Sequence, residues 1–585
     1  MNLTDEERIV GKENFEVAIG GEGAFNRRSF LGTTLAATVA GAGVGAMYFN
    51  YAKEGPPKNP LRVGFIGVGD EGQVLLGALH APETRKFIEV VAIADIRPYN
   101  VHRAFEGDHT DEPSLARRPG LKSMYGNDAD KKITVYKDGY MDLLNDANVE
   151  AVVIALPLHL HAEAAIKAMR KGKHVLTEKL MGHSVHECKE MGRVAKETGK
   201  FLAVGHQRNY SILYDNAKWL IAHGLLGDVH HIRAQWHRGN LPGHDSWQMP
   251  LPTNEKDRQT LEKKVAALQK QIAEIDKHAD ETTAKVREEY KKLAAQIRMQ
   301  IKDQEVKASE HGYQELTLST GYKRTPLEEL IRWRLWNRTG AGLMAELGSH
   351  QLDAAGILIG AATAKDGEFH HATPLTVTAV GCRSLFPLDR DCEDHVHCMF
   401  EFAGPGYWAD PVKRIVADPQ KKIIVGYSSI NGNGFGDYGE VVMGTKGTLV
   451  LEKELEAMLF KSTSTSTKIK VDKDKQGGAA LNTAESGGHA APVGKAALEL
   501  GPISRGYTEE IEHWAWCIKN PSSGDKPRCH PSVALGDAVI ALTTNQVVRD
   551  GKGPFMKFED AWFDIDNDAT PEGERPDTTR KDYGV

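Results

Sequence analysis

Cysteine is scarce in this chain. Its 585 residues hold six, Cys188, Cys382, Cys392, Cys398, Cys517 and Cys529, and no two stand at C-x-x-C spacing. That excludes a zinc site built on paired cysteines. If the chain is exported, a disulfide among Cys382, Cys392 and Cys398 is open, and buried free thiols are the alternative. Positive charge is not concentrated either. Lys and Arg number 73 against 80 Asp and Glu, the net charge is −7 and the pI about 6.4. No basic stripe marks a nucleic-acid partner. Long apolar runs are missing outside Gly32 to Phe49, so a soluble body is expected. What remains, 41% hydrophobic and 26% charged, is ordinary for a globular enzyme. The length exceeds one domain and predicts two with insertions.

The one apolar stretch follows Asn26-Arg27-Arg28-Ser29-Phe30-Leu31, a twin-arginine pattern. Paired arginines before a weakly apolar region suit export of an already folded protein, with any cofactor loaded in the cytoplasm. A periplasmic location is the expectation. The segment before the arginines is long for a leader, and no small-x-small cleavage site precedes Met47-Tyr48-Phe49. Residues 1–60 are therefore read as leader and linker, which could stay as a membrane anchor.

Leu61 to Asp95 is the most informative stretch. Leu61-Arg62-Val63-Gly64-Phe65-Ile66 is an apolar strand. Gly67-Val68-Gly69-Asp70-Glu71-Gly72 follows with G-x-G-x-x-G spacing, then a helix from Gln73 to Leu79. A second strand, Ile88 to Ala94, ends at Asp95. Gly67 permits the tight turn, Gly69 lets the backbone approach a pyrophosphate, and Gly72 lets helix pack on strand. The helix N-terminus offers free N–H groups to phosphates. Asp95 is placed for ribose hydroxyls. Ile96 and Arg97 complete this edge. Asp95 repels a 2′-phosphate and Arg97 attracts one, so NADP stays open while NAD(H) is favoured.

Strands at Val149 to Ala155, His174 to Thr177 and Phe201 to Val204 alternate with helices at Ala162 to Arg170 and His183 to Thr198. That pitch predicts a parallel doubly wound sheet over 61–205, with ligands at the strands' carboxyl ends. Pro157, His161, Glu178, Lys179, His206, Gln207 and Arg208 cluster at those ends. The texture changes at Val229 to Trp236, a strand opening a C-terminal α/β domain over 206–560. Thr253 to about Gln304 carries apolar residues at helical spacing and reads as one helix, or as two turning near His278 to Thr283. A narrow seam there suits a hairpin, a subunit contact or a solvated protrusion. Thr376 to Val442 is rich in β-branched residues and predicts much of a large open, mostly antiparallel sheet. Lys461 to Gly506 reads as a mobile loop. Tyr507 to Lys519 and Pro531 to Asp550 read as helices, and 561–585 as a loosely attached polar tail.

The motifs together resemble the Gfo/Idh/MocA oxidoreductases. Those carrying the resemblance are the G-x-G-x-x-G turn, Asp95, Pro157-x-x-x-His161, Gly172-Lys173-His174-Val175, Glu178-Lys179, and Gly340-Ala341-Gly342-Leu343-Met344-Ala345-Glu346-Leu347-Gly348-Ser349-His350-Gln351-Leu352-Asp353. It spans roughly Leu61 to Asp550. Two positions depart from the pattern: Leu180 stands where the family has proline, and Glu346 where it has aspartate. The resemblance implies a Rossmann domain joined to an α/β domain whose open sheet serves dimer or tetramer contacts. It also implies NAD- or NADP-dependent oxidation or reduction at a secondary alcohol of a sugar, glycoside or cyclitol.

Such chemistry needs a base for the hydroxyl proton and positive charge at the developing carbonyl oxygen. His350 is the expected base and Lys179 the oxygen's partner. Glu346, four residues before His350, shares its face if the segment is helical, and could orient it or bind a hydroxyl. Val68, Asp70, Glu71, Glu178 and Gln207 are expected along the cofactor. Arg208, Trp236 and His237 are expected near the substrate, and no metal-ligating set is singled out. Two further readings stay open. One is a redox-neutral glycosidase or lyase with retained NAD; the other is a non-catalytic, cofactor-stabilised sugar-binding scaffold.

Overall fold

The computed structural model describes residues 3–19, 55–277, 281–364, 370–461, 464–468, 470–473, 479–482, 505–549 and 554–584. Arg27, Arg28 and the apolar stretch after them lie outside these residues. Among the described residues, no helix is long and apolar enough to cross a membrane.

The N-terminal sheet is parallel. Its strands are β1 (Leu61–Ile66), β2 (Ile88–Ala94), β3 (Thr134–Tyr136), β4 (Ala151–Ile154), β5 (His174–Glu178) and β6 (Leu202–Gly205), in the order β3-β2-β1-β4-β5-β6. The continuous apolar runs of β1 and β4 are needed because helices cover both faces. Helices α2 (Asp70–Ala78), α3 (Pro98–Glu106), α4 (His161–Arg170) and α5 (Val185–Thr198) supply that cover. Strand order reverses between β1 and β4, so the glycine turn after β1 opens at the switch point where ligands bind.

The second sheet has eight strands. They are β7 (Val229–His237), β8 (Pro374–Cys382), β9 (His395–Ala403), β10 (Lys422–Ile430), β11 (Tyr438–Gly444), β12 (Gly447–Glu452), β13 (Glu456–Lys461) and β14 (Phe555–Lys557). Their order is β13-β12-β11-β7-β10-β9-β8-β14, antiparallel except between β7 and β10. Burial alternates along β10, as expected of a sheet covered on one face. Helices α8 (Ser349–Thr363) and α10 (Pro531–Arg549) share a core with that face. The overall architecture is thus the expected α/β pair of sheets.

Four segments depart from the expectation. Helix α9 (Tyr507–Lys519), placed with the C-terminal domain, buries Ile511, Trp514 and Trp516 against Leu61, Val63 and Phe65 of the first sheet. The chain therefore re-enters its N-terminal domain. Residues 464–468 and the paired strands Lys470–Lys473 and Ala479–Asn482 give structure to part of the expected mobile loop. The rest of that loop lies outside the described residues. Ahead of the twin arginines, α1 (Asp5–Ile19) packs on β13. Its Gly11 lies so close to Phe460 that an added Cβ would meet the ring at 2.4 Å. Asn14 donates to the Leu459 carbonyl at 3.0 Å and Lys12 pairs with Glu456 at 2.6 Å.

The tail is the fourth. Residues 561–584 are strapped to α4 and α5 rather than loosely attached. The Lys189 ammonium donates to the carbonyls of Ala561, Asn567 and Ala569 at 2.8, 2.9 and 2.7 Å. Arg170 caps the carbonyls of Tyr583 and Thr578, and the buried Tyr583 hydroxyl donates to Glu190. A polar sequence hid this because its anchoring groups are backbone carbonyls, which any sequence supplies. Lys189→Met should remove the shared donor of three partly buried carbonyls and cost roughly 1–3 kcal/mol. A lower urea midpoint and faster proteolysis after residue 560 are expected. Unchanged values would contradict the strap.

Candidate active site

The glycine turn is built as its spacing demands. Gly67 has φ +84°, and a Cβ there would meet the Ala155 carbonyl oxygen at 2.5 Å. A Cβ on Gly72 would meet the Gly67 carbonyl oxygen at 2.3 Å, so helix and strand touch there. Gly69 differs: its nearest neighbour would be the Asn100 amide at 3.7 Å, which leaves backbone open to an incoming group. Gly69 caps α2 without a side-chain hydrogen bond, so the first N–H groups are available to an anion.

Two acids in this loop need explaining beside a pyrophosphate. Asp70 is neutralised by Arg103 at 2.8 Å. Burial raises Glu71 toward its neutral form, against the pull of Lys179, Arg505 and Arg334. Asp95 accepts from the amides of Val68 (2.9 Å) and Arg97 (2.8 Å) and from Asn100 (3.1 Å). A carboxylate has about four acceptor sites, so one is left for a ribose hydroxyl. Ile96 packs beside Leu251 and Tyr313. Pro157 caps the short turn after β4. These residues fit a dinucleotide along α2 and the end of β2.

At the end of β5, Lys179 crosses to the second domain. Its Nζ donates to the Glu346 carbonyl at 2.5 Å, and the Lys179–Leu180 peptide is cis. Glu346 lies in a π-helical turn, Met344–Gly348, that leads into α8. Its carboxylate accepts from Arg334 at 2.7 Å. Burial opposes ionisation there, but Arg334 and Lys179 hold it down to about 2. His350 opens α8, its ring 5.3 Å from Trp236, which itself stacks on Tyr438 at 4.4 Å. Burial, with Lys179 and Arg208 nearby, pushes His350 well below its usual range. Burial also lowers Lys179, though Glu346 and Glu178 resist. Burial thus disfavours the charged form of both groups.

Several expected contacts fall elsewhere. Glu346 pairs with Arg334, and the buried Nδ1 of His350 has no hydrogen-bond partner, so Glu346 does not orient that imidazole through Nδ1. His161 is buried with its ring nitrogens 2.8 Å from the carbonyls of Leu180 and Leu156, which makes it a backbone staple. Arg208 is buried on Glu454, Glu440 and the His350 carbonyl, so it positions α8 and is not exposed to an incoming ligand. Gln207 is buried beside it, its amide 3.5 Å from Glu454. His237 follows Trp236 on β7, and successive strand side chains point to opposite faces. It bonds Ser428 and the Phe435 carbonyl, both at 2.9 Å, on the face away from His350. His206 is buried with Asp353 and Asp537, all three within 4.8 Å, a donor set that could hold a cation and that sequence reading did not single out.

Residues 61–206 match the model of GFO_IDH_MocA, described as "Oxidoreductase family, NAD-binding Rossmann fold". The first domain thus matches the NAD-binding Rossmann domain of the Gfo/Idh/MocA oxidoreductases. A 1-carboxy-3-chloro-3,4-dihydroxycyclohexa-1,5-diene dehydrogenase of Comamonas testosteroni is 29% identical over 174 residues, 30% of this chain and 37% of that protein. A glycosyl hydrolase family 109 protein of Shewanella baltica is 29% identical over 181 residues, 31% of this chain and 36% of its own length. The chain thus spans little more than a third of these curated relatives. The crystal structure of an oxidoreductase domain protein from Kribbella flavida aligns over 86% of this chain and 100% of that one, at 15% identity and TM-score 0.49.

Around these motif residues the structure adds Arg334 and Glu510, which the sequence alone did not single out. Arg334 bears on Glu346, as does Arg238, a candidate hydroxyl-binding group from the sequence, and Glu510 faces Glu178. Arg334 stands in the dense stretch Trp333-Arg334-Leu335-Trp336, which was the one signal available. Gly205, paired with Glu178 across β6, leaves room for that carboxyl: a Cβ would meet Glu178 Oε1 at 2.9 Å.

Burial, with Glu71 alongside, raises Glu178 from 4.5 to about 8. The folded chain therefore keeps a proton that the unfolded chain releases. The stabilisation is full below pH 4.5 and is lost as pH rises to about 8. Glu178→Gln, in nucleotide-free protein, should flatten the fall in melting temperature across that window. An unchanged slope would show that Glu178 carries no such proton.

Proposed function

We propose that the chain is an NAD(P)-dependent oxidoreductase acting on a secondary alcohol or ketone of a sugar, glycoside or cyclitol, with NAD(H) preferred. The observation that carries this is the meeting of Lys179 and the Glu346–His350 turn at the carboxyl end of β5, on the strand side where the glycine turn also opens. A nicotinamide dinucleotide, when bound, accepts or returns hydride. The protein's residues do the rest. Lys179, lowered by burial, takes the hydroxyl proton in the oxidation direction, the role expected of His350 from the sequence, because burial holds His350 well below its usual range. Neutral His350 hydrogen-bonds the same oxygen and fixes its approach. Arg334 and Arg238 add positive charge where carbonyl character develops. Trp236 offers an apolar face to a sugar ring.

A second reading is favoured by two observations. One relative is named as a glycosyl hydrolase. Ser246, Trp247, Met249 and Arg332 to Arg334 of the second domain line a cavity with Gly69 and Arg97, over the cofactor loop. Both suit a retained NAD, which when bound would take a hydride and give it back, so that elimination or glycoside cleavage would proceed without net redox change.

The twin arginines support export to the periplasm, and exposed Val380 and Met399 on the open sheet face support contact between copies. Cell fractionation and light scattering of the purified chain read these two points.

Lys179→Met should lower turnover of the reactive sugar, glycoside or cyclitol by 10²–10⁴-fold, on the order of general acid–base catalysis. Nucleotide affinity should stay within a few fold. Unchanged turnover refutes the assignment. Product formed without net NADH would select the redox-neutral reading.

A further inference from the structure

The helical insertion ends on the cofactor's ribose edge. Its two helices, α6 (Glu255–Ile275) and α7 (Glu281–Lys302), close on Leu261, Val265 and Ile297. Buried Gln296 fixes α7 beside α3, donating to Asp108 at 3.0 Å and accepting from the His109 amide at 2.8 Å. The residue just after α7 is Asp303, which is fully buried. Its Oδ2 takes Arg97 Nε at 2.9 Å, and its Oδ1 takes the Tyr99 amide at 3.0 Å.

Arg97 is the residue that left cofactor choice open. It follows Asp95 by two positions, where a guanidinium can meet a 2′-phosphate. In the structure the Arg97 side chain is only 12% exposed, and a carboxylate from 206 residues away holds it. The neighbouring cations are engaged too. Arg103 pairs with Asp70 and Asp108, and Arg118 with Asp108 at 2.7 Å.

We propose that the insertion is a cofactor-specificity device: Asp303 neutralises and turns aside Arg97, so that a dinucleotide with a free 2′-hydroxyl binds and one with a 2′-phosphate does not. The inference rests on the nucleotide-binding reading above. Asp303 takes Arg97 by Nε, so a 2′-phosphate would meet a guanidinium whose charge is already offset by a carboxylate, and it would face Asp95 as well. A ribose hydroxyl needs only the remaining acceptor site of Asp95. The hairpin's role is to carry Asp303 to this edge and, through Gln296, to hold it there.

The test is a fluorescence titration of full-length protein with NADH and with NADPH. The wild type should prefer NADH. Asp303→Asn, which keeps an oxygen for the Tyr99 amide, should tighten NADPH binding at least tenfold and leave NADH within about threefold. Asp303→Ser should act in the same direction should the asparagine variant fold poorly. Adding Arg97→Met to either variant should cancel the gain. An unchanged NADPH-to-NADH ratio in both single variants overturns the inference while leaving nucleotide binding intact, as does a gain that survives Arg97→Met. Binding of neither nucleotide by the wild type overturns the nucleotide reading and this inference with it.

Discussion

The buried guanidinium of Arg208 ties together the parts that make the site. It leaves the end of the first sheet and reaches three elements of the second domain: Glu440 on β11, Glu454 in the turn between β12 and β13, and Gln351 with the His350 carbonyl on α8. Burying one cation beside two carboxylates costs desolvation that only dense hydrogen bonding repays. The bonds are present. Glu454 also takes Arg505 at 2.8 Å, and Glu440 takes Tyr214 at 2.8 Å. Removing one partner from such a pair costs about 3–5 kcal/mol. His350 therefore stands where Arg208 puts it, and the distance between catalytic helix and cofactor loop follows from that.

Charge is arranged in layers around this anchor. Lys179 and His350 are both driven toward neutrality by burial. Behind them Glu346 stays ionised, held by Arg334. Deeper still, Glu178 and Glu510 are pushed toward protonation, and Asp537 is raised beside Asp353. Strongly shifted titratable groups clustered at one strand end are a common mark of acid–base chemistry.

The sequence made the first sheet legible because its strands are short, apolar and punctuated by glycine, and because the glycine turn has a fixed geometry. Motif order singled out Lys179 and the stretch from Glu346 to His350, and the fold brings Lys179 against that stretch. What could not be read depends on long-range pairing. Arg208 looked like a ligand residue because its carboxylate partners lie over 200 residues away. His237 looked adjacent to the site because it is adjacent in sequence, although strand alternation turns it to the other face. The polar tail and the α9 return to the first domain are anchored by backbone carbonyls and by a few tryptophans, neither of which carries a spacing signature.

The additions to the basic two-sheet plan share one logic. The tail braces α4 and α5, α1 covers the outer edge strand β13, and the hairpin reaches the ribose edge, so each closes a surface of the sheet pair. The central claim is that this scaffold holds one nicotinamide dinucleotide along the glycine turn. Native mass spectrometry of the full chain with added NAD(H) tests it most directly. The account predicts a species heavier by one dinucleotide per chain, lost when Gly69 is replaced by a bulky residue. Only unliganded masses, at concentrations well above those of ordinary cofactor binding, would contradict it.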